Sequence, residues 1–188
     1  MVAQLSPGID PRELRNAFGM YPTGVTVATC FAKEGATIGV TANSFVSLSL
    51  SPPLVSVALH VRARHLKAFL ESASFTINVL RADQSALSNL FARPSECCWD
   101  RVRYNVTESG RIVLEDTAAA FLCRRVGDHS TGDHQLLIGE IEAFSYDADA
   151  PPIAFCRGRY GAFRPAASGP LAEAPDWWPS AVADIGWG

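Results

Sequence analysis

The chain has no C-x-x-C pair, no apolar run long enough to cross a membrane and no block of basic residues. Each absence removes a class of function. Its five cysteines are Cys30, Cys97, Cys98, Cys123 and Cys156. None has the spacing of a zinc ribbon or a dithiol redox centre, and the adjacent Cys97 and Cys98 are poorly placed to share a metal. No metal site is expected. The start, "MVAQLSPGIDPRE", lacks the basic segment and apolar core of a signal peptide, and no stretch reaches the roughly 20 apolar residues of a membrane span. The expectation is a cytoplasmic protein with reduced thiols. Cys30, Cys123 and Cys156 sit in apolar runs and should pack as core. Sixteen basic residues, scattered in a chain of net charge −3, argue against nucleic acid as the partner.

The signatures of protein-borne chemistry are missing too. There is no G-x-G-x-x-G after a strand, no P-loop, no G-x-S-x-G and no H-E-x-x-H. The histidines are His60, His65, His129 and His134, and no carboxylate pair stands out as an acid/base couple. A chain so equipped either binds something or relies on a cofactor for the reaction.

What remains is apolar and strand-like. Hydrophobic residues make up 48% of 188 residues, enough for one core. Asp10-Pro11-Arg12-Glu13 reads as a capping box opening a helix over 11–19, with Glu13 reaching back and Leu14, Ala17 and Phe18 forming an apolar face. Strands are expected at 25–32, 36–42, 54–60, 74–80, 119–126, 134–146 and 152–161, with short helices at 64–72 and, capped by Asp83, at 83–92. No regular β-α-β alternation occurs, so an antiparallel barrel with short peripheral helices fits better than a doubly wound sheet. The final stretch, 164–188, is rich in proline and tryptophan and is expected to dock on the body or on a partner subunit.

"GVTANSFVSLSLSPPLVSVALH" (39–60) poses a sharper question. If it is extended, Ser47, Ser49 and Ser51 share one side and Leu48 and Leu50 the other. This describes a half-wet strand, or a cradle for a ligand.

Five segments in fixed order decide between the two. "FGMYPTGVTVAT" (18–29), residues 39–59, "SFTINVL" with Gln84 and "LFA" (74–92), "GDHQLLIGEI" (132–141) and "FCRGRYGAF" (155–163) together resemble the short-chain flavin reductases. These are the reductase components of two-component flavin-dependent monooxygenases. The resemblance implies an FMN-binding split β-barrel over residues 1–163, antiparallel and Greek-key-like, in a homodimer. It implies FAD or FMN reduced by NADH or NADPH, and a monooxygenase partner. It places Thr23, Gly24, Val25 and Thr26, then Thr41, Ala42, Asn43, Ser44, Ser47 and Leu48, around the flavin. It sets His134, Arg157, Gly158, Arg159 and Tyr160 against the nicotinamide nucleotide, with His134 fixing the nicotinamide.

The sequence departs from the family after the "SVAL" strand. Hydroxyl residues that commonly hold the flavin phosphate give way to His60-Val61-Arg62-Ala63-Arg64-His65. There Arg64, together with Arg62, would supply charge-assisted donors to the phosphate, helped by free N–H groups of the helix start, with His60 beside the flavin; the other reading is that both arginines are solvated loop charges. Rival functions are a flavin carrier or sensor without reductase activity, and a reductase that holds its flavin tightly and serves another acceptor.

Overall fold

The computed structural model describes residues 8–93 and 99–163. The expectations for 164–188, and for Cys97 and Cys98, fall outside them. In chain order the elements are α1 (Pro11–Phe18), β1 (Thr23–Gly24), β2 (Thr26–Phe31), β3 (Thr37–Ala42), β4 (Val46–Leu50), β5 (Pro53–His60), α2 (Leu66–Glu71), β6 (Ser74–Val79) and α3 (Ser85–Ala92). A single turn of 3-10 helix (Trp99–Arg101) follows, then β7 (Tyr104–Val106), β8 (Ile112–Leu114), β9 (Ala119–Thr131), β10 (His134–Tyr146), β11 (Ile153–Cys156) and β12 (Arg159–Ala162). The protein is mainly β with short helices, and its paired strands are antiparallel.

Seven strands form the main sheet in the order β3-β2-β6-β9-β10-β5-β4. β3 and β4 therefore lie at opposite edges, yet only Asn43, Ser44 and Phe45 connect them. A link that short spans no more than about 14 Å, so the sheet must curl until its edges approach. They do: β3 comes into contact with β5, the neighbour of β4. The result is an open barrel with a seam at residues 43–45. Its interior holds Val55, Val57, Phe69, Phe75, Ile77, Cys123 and Leu137. A second cluster, with Val27, Leu80, Phe91, Leu114 and Ile153, packs α3 and the β7–β8 hairpin against the outside. Cys30 and Cys123 are buried, and burial pushes both thiols up to about 12. They pack as inert core, whereas Cys156 is half-buried.

Several expectations are corrected. Asp10 Oδ1 caps α1 by accepting from the N–H groups of Arg12 and Glu13, but the Glu13 side chain accepts from Asn16 instead of reaching back. No residue of α1 is buried, so Leu14, Ala17 and Phe18 do not face the core. Asp83 does not cap α3. It lies beside Arg81, while Gln84 occupies the N-cap and accepts the Arg81 N–H. The serine alternation of β4 is broken by a bulge between Ser47 and Ser49. The strand expected at 152–161 is a hairpin, β11–β12, turning at Arg157 (φ 51°) and Gly158 (φ 73°). Two consecutive positive φ values make a primed turn whose twist suits the strands, with Arg157 in a conformation that costs about 1 kcal/mol or more for a side-chain-bearing residue.

Gly39 seats α3. A Cβ there would lie 2.4 Å from Cε1 of the fully buried Phe91. Gly39→Ala is expected to lower stability by about 1–3 kcal/mol. It should also shift α3, so urea unfolding and flavin binding should both weaken. Unchanged midpoints would show that Phe91 has room to move.

Candidate functional site

The seam carries a groove made of four adjoining hollows. The first, of 370 Å³, lies between Val40, Thr41, Arg62, Arg64, His65 and Ala92. The next, of 220 Å³, runs along Thr41–Ser44 to Ala58, His60 and His134. A third, of 180 Å³, is walled by Val25, Asn43, Ser88, Phe155 and Tyr160. The largest, of 580 Å³, opens between α1 and the β11–β12 turn, with Arg15, Tyr21, Thr23, Asn43, Arg157 and Gly158 in its wall. Thr41 borders three of the four and Asn43 also borders three, two of them in common, so between them the Thr41–Ser44 strap touches every hollow.

Local bonding holds that strap open. The Thr26 hydroxyl donates to the Ala42 carbonyl at 2.8 Å, and Thr41 to the Ser88 carbonyl at 2.6 Å. Beyond Ser56, which pairs with Val46, β4 no longer faces β5. There the Ser44 hydroxyl donates to the Ala58 carbonyl at 2.8 Å and accepts the Ala58 N–H at 3.0 Å. One side chain thus satisfies both backbone groups that a neighbouring strand would have bonded. Thr23 Oγ1 is buried without a hydrogen-bond partner in the wall of the largest hollow. A buried hydroxyl left single is costly, and a polar ligand edge would relieve it. Gly24 leaves open space where a Cβ would stand.

The basic end is not quite as expected. Arg62 and Arg64 are exposed at the rim. The Leu66 N–H at the start of α2 is not free: it donates to the Ala63 carbonyl at 3.1 Å. Burial, then the Arg64 charge, pushes the His65 imidazole below its usual range, which leaves the two arginines as the cations of this hollow. At the next hollow, His134 Nδ1 lies 2.6 Å from Asp133 Oδ1, and that hydrogen bond is the main reason the Asp133 carboxyl is held below the usual carboxylate range. The Tyr160 hydroxyl is 2.9 Å from Ser88 Oγ and donates to Asn89 Oδ1 at 3.1 Å, tying β12 to α3.

The groove therefore gathers Thr23, Val25, Thr41, Ala42, Asn43, Ser44, His60, Arg64, His134, Arg157, Gly158 and Tyr160. Gly24 and Thr26 flank it, while Ser47, Leu48 and Arg159 border none of the four hollows. Ser47 and Leu48 are exposed on β4. Sequence reasoning missed Arg15, Ser88 and Phe155. Ser88 carried a faint signal, as a polar residue on the buried face of an apolar helix.

Residues 18–164 match the model of the flavin reductase like domain. An FMN reductase (NADH) of Agrobacterium fabrum is 40% identical over 156 residues, 83% of this chain and 88% of that protein. The reductase component of a flavin-dependent trigonelline monooxygenase from Acinetobacter baylyi is 38% identical over 84% of this chain and 50% of that protein. The chain likewise spans about half (52%) of a matched Rhizobium meliloti protein. Among solved structures, the NADH:FAD oxidoreductase of Streptomyces globisporus, in complex with NAD and FAD fragments, superposes with a TM-score of 0.82 at 32% identity, over 88% of this chain and 100% of that one. With its open antiparallel barrel and most of its length matched, this chain belongs to the flavin reductase like domain family.

Proposed function

We propose that the chain is an NAD(P)H:flavin oxidoreductase that supplies reduced FAD or FMN to a partner monooxygenase. The observation that carries this reading is the continuous groove over Thr41–Ser44, cationic at Arg62 and Arg64 and bordered by His134. The named reductases of Agrobacterium and Acinetobacter support it. When both nucleotides are bound, the chemistry they would supply is hydride transfer from nicotinamide C4 to flavin N5. The protein's part is to bind, align and exclude water. The orphaned Thr23 hydroxyl, the backbone of 41–44 and Arg64 would hold the flavin. Arg157, Gly158 and Tyr160 would meet the nicotinamide nucleotide.

NADH and NADPH oxidation at 340 nm, titrated with FAD and FMN, tests the reading. Rates that saturate with free flavin support it. Flavin binding without oxidation would leave a carrier. If Arg64 holds the phosphate, Arg64→Ala should weaken FMN binding about tenfold and leave riboflavin binding unchanged. Equal losses for both ligands would move the phosphate elsewhere.

A homodimer is part of the same reading. It is supported by the exposed apolar side chains of Phe18, Met20 and Tyr21, and of Val46, Leu48 and Leu50. Light scattering of the full chain reads the mass directly.

A further inference from the structure

The end of β5 and the start of β10 bring two imidazoles to one point. His60 and His134 are cross-strand partners, with ring centroids 5.2 Å apart in an edge-to-face arrangement, and both border the 220 Å³ hollow. Their neighbours fix where each ring carries its proton. The Arg62 N–H donates to His60 Nδ1 at 2.9 Å. A ring nitrogen that accepts carries no hydrogen, so neutral His60 keeps its proton on Nε2. His134 is the reverse. An ionised carboxylate only accepts, so the 2.6 Å contact with Asp133 places a proton on Nδ1, and the neutral ring then carries a bare lone pair on Nε2. Asp133 is itself anchored, because its backbone carbonyl accepts the Val61 N–H at 2.9 Å. His60 Nε2 stands 3.9 Å from Asp133 Oδ2, beyond hydrogen-bonding distance, so its N–H is open to a ligand.

One hollow thus holds an N–H donor and a nitrogen acceptor on adjoining rings. That pair complements a primary carboxamide, whose oxygen accepts and whose NH₂ donates. We propose that His60 and His134 clamp the carboxamide of the nicotinamide, His60 Nε2–H donating to its oxygen and His134 Nε2 accepting from its NH₂. Asp133 is the positioning residue that sets the His134 tautomer. The proposal rests on the reading that a nicotinamide nucleotide is the hydride donor. It moves His60 from the flavin to the reductant. Gripping both ends of the carboxamide stops the ring from turning over and so selects the face that meets the flavin. Among the described residues no group of three or more His, Cys, Asp and Glu is arranged to hold a metal.

Two reductant analogues separate the prongs. In the 3-acetylpyridine analogue of NADH a methyl group replaces the NH₂. In the thionicotinamide analogue a sulfur, a weaker acceptor, replaces the oxygen. Taking kcat/KM ratios between donors within one variant cancels their differing intrinsic reactivity. The NADH-to-acetylpyridine ratio should fall about 3- to 10-fold in His134→Ala and hold in His60→Ala. The NADH-to-thionicotinamide ratio should fall in His60→Ala and hold in His134→Ala. Asp133→Ala should follow His134→Ala, with Asp133→Glu restoring part of the loss. Ratios that move together in both histidine variants, or not at all, overturn the clamp. Absence of NADH oxidation by the unaltered protein with any flavin overturns the functional reading instead. Nitrogen-15 shifts of the ring nitrogens in the unaltered protein decide the tautomers without any variant. Protonation of His134 at Nδ1 and of His60 at Nε2 supports the proposal, and the opposite pair overturns it.

Discussion

Asn78→Leu is expected to lower the unfolding free energy by about 3–5 kcal/mol with little change in side-chain volume. Asn78 is fully buried in β6. Its side-chain amide donates to the Val27 carbonyl at 3.0 Å and to Thr29 Oγ1 at 3.2 Å, and its oxygen accepts the Leu114 N–H at 2.9 Å. Those three bonds join β6 to β2 within the sheet and to β8 outside it. Thr29 adds a fourth tie, donating to the Ile112 carbonyl at 2.8 Å. Leucine would leave the Leu114 N–H and the Val27 carbonyl short of partners in a dry site, at about 1–3 kcal/mol each. Part of the β7–β8 hairpin should detach as well. Urea unfolding should show a lower midpoint, with a changed slope if the hairpin frays first. A loss below about 1 kcal/mol would mean the hairpin is held by its apolar contacts alone.

Ser44→Ala is expected to act on both stability and binding. It removes the hydroxyl that serves the Ala58 N–H and carbonyl, at about 2 kcal/mol because water reaches this half-buried position. It also frees the strap that carries Thr41 and Asn43, so flavin affinity should fall by about tenfold or more through lost preorganisation. Ser44→Thr keeps the hydroxyl and should recover both. Fluorescence quenching of flavin alongside thermal unfolding separates the effects. If stability falls while affinity holds, the strap is fixed by other contacts.

Much of the fold was legible because strand periodicity is local. β2, β3, β5, β6 and β10 stand within a residue or two of where alternation places them. β7 and β8 were missed because three residues are too few for a period to register. The β11–β12 hairpin was read as one strand because arginine is a poor signal for a left-handed turn, and Arg157 takes that conformation only with the surroundings holding it. Its N–H donates to the Gly19 carbonyl at 2.8 Å, and its Nε lies 3.1 Å from Met20 Sδ. Nothing in the sequence singles out Asn78, since its partners come from 36 to 51 positions away. The same limit applies to the groove. The Thr41–Ser44 strap and His134 were reached through ordered motifs. Ser88 and Phe155 arrive through packing between distant segments, and the His60–His134 pairing needs the register of β5 against β10.

The three residues that draw the barrel's edges together also act on the protein's behaviour in a crowded solution. Unpaired strand edges are templates on which other chains can add, and are a common origin of aggregation. Where β4 stops short, β5 would present Ala58 as such a template. The Ser44 hydroxyl occupies that rung with a side chain, which cannot propagate into a further strand. A seam built to receive a ligand is thereby closed to a neighbouring copy's backbone, so access for a small molecule and resistance to misassembly come from the same bond.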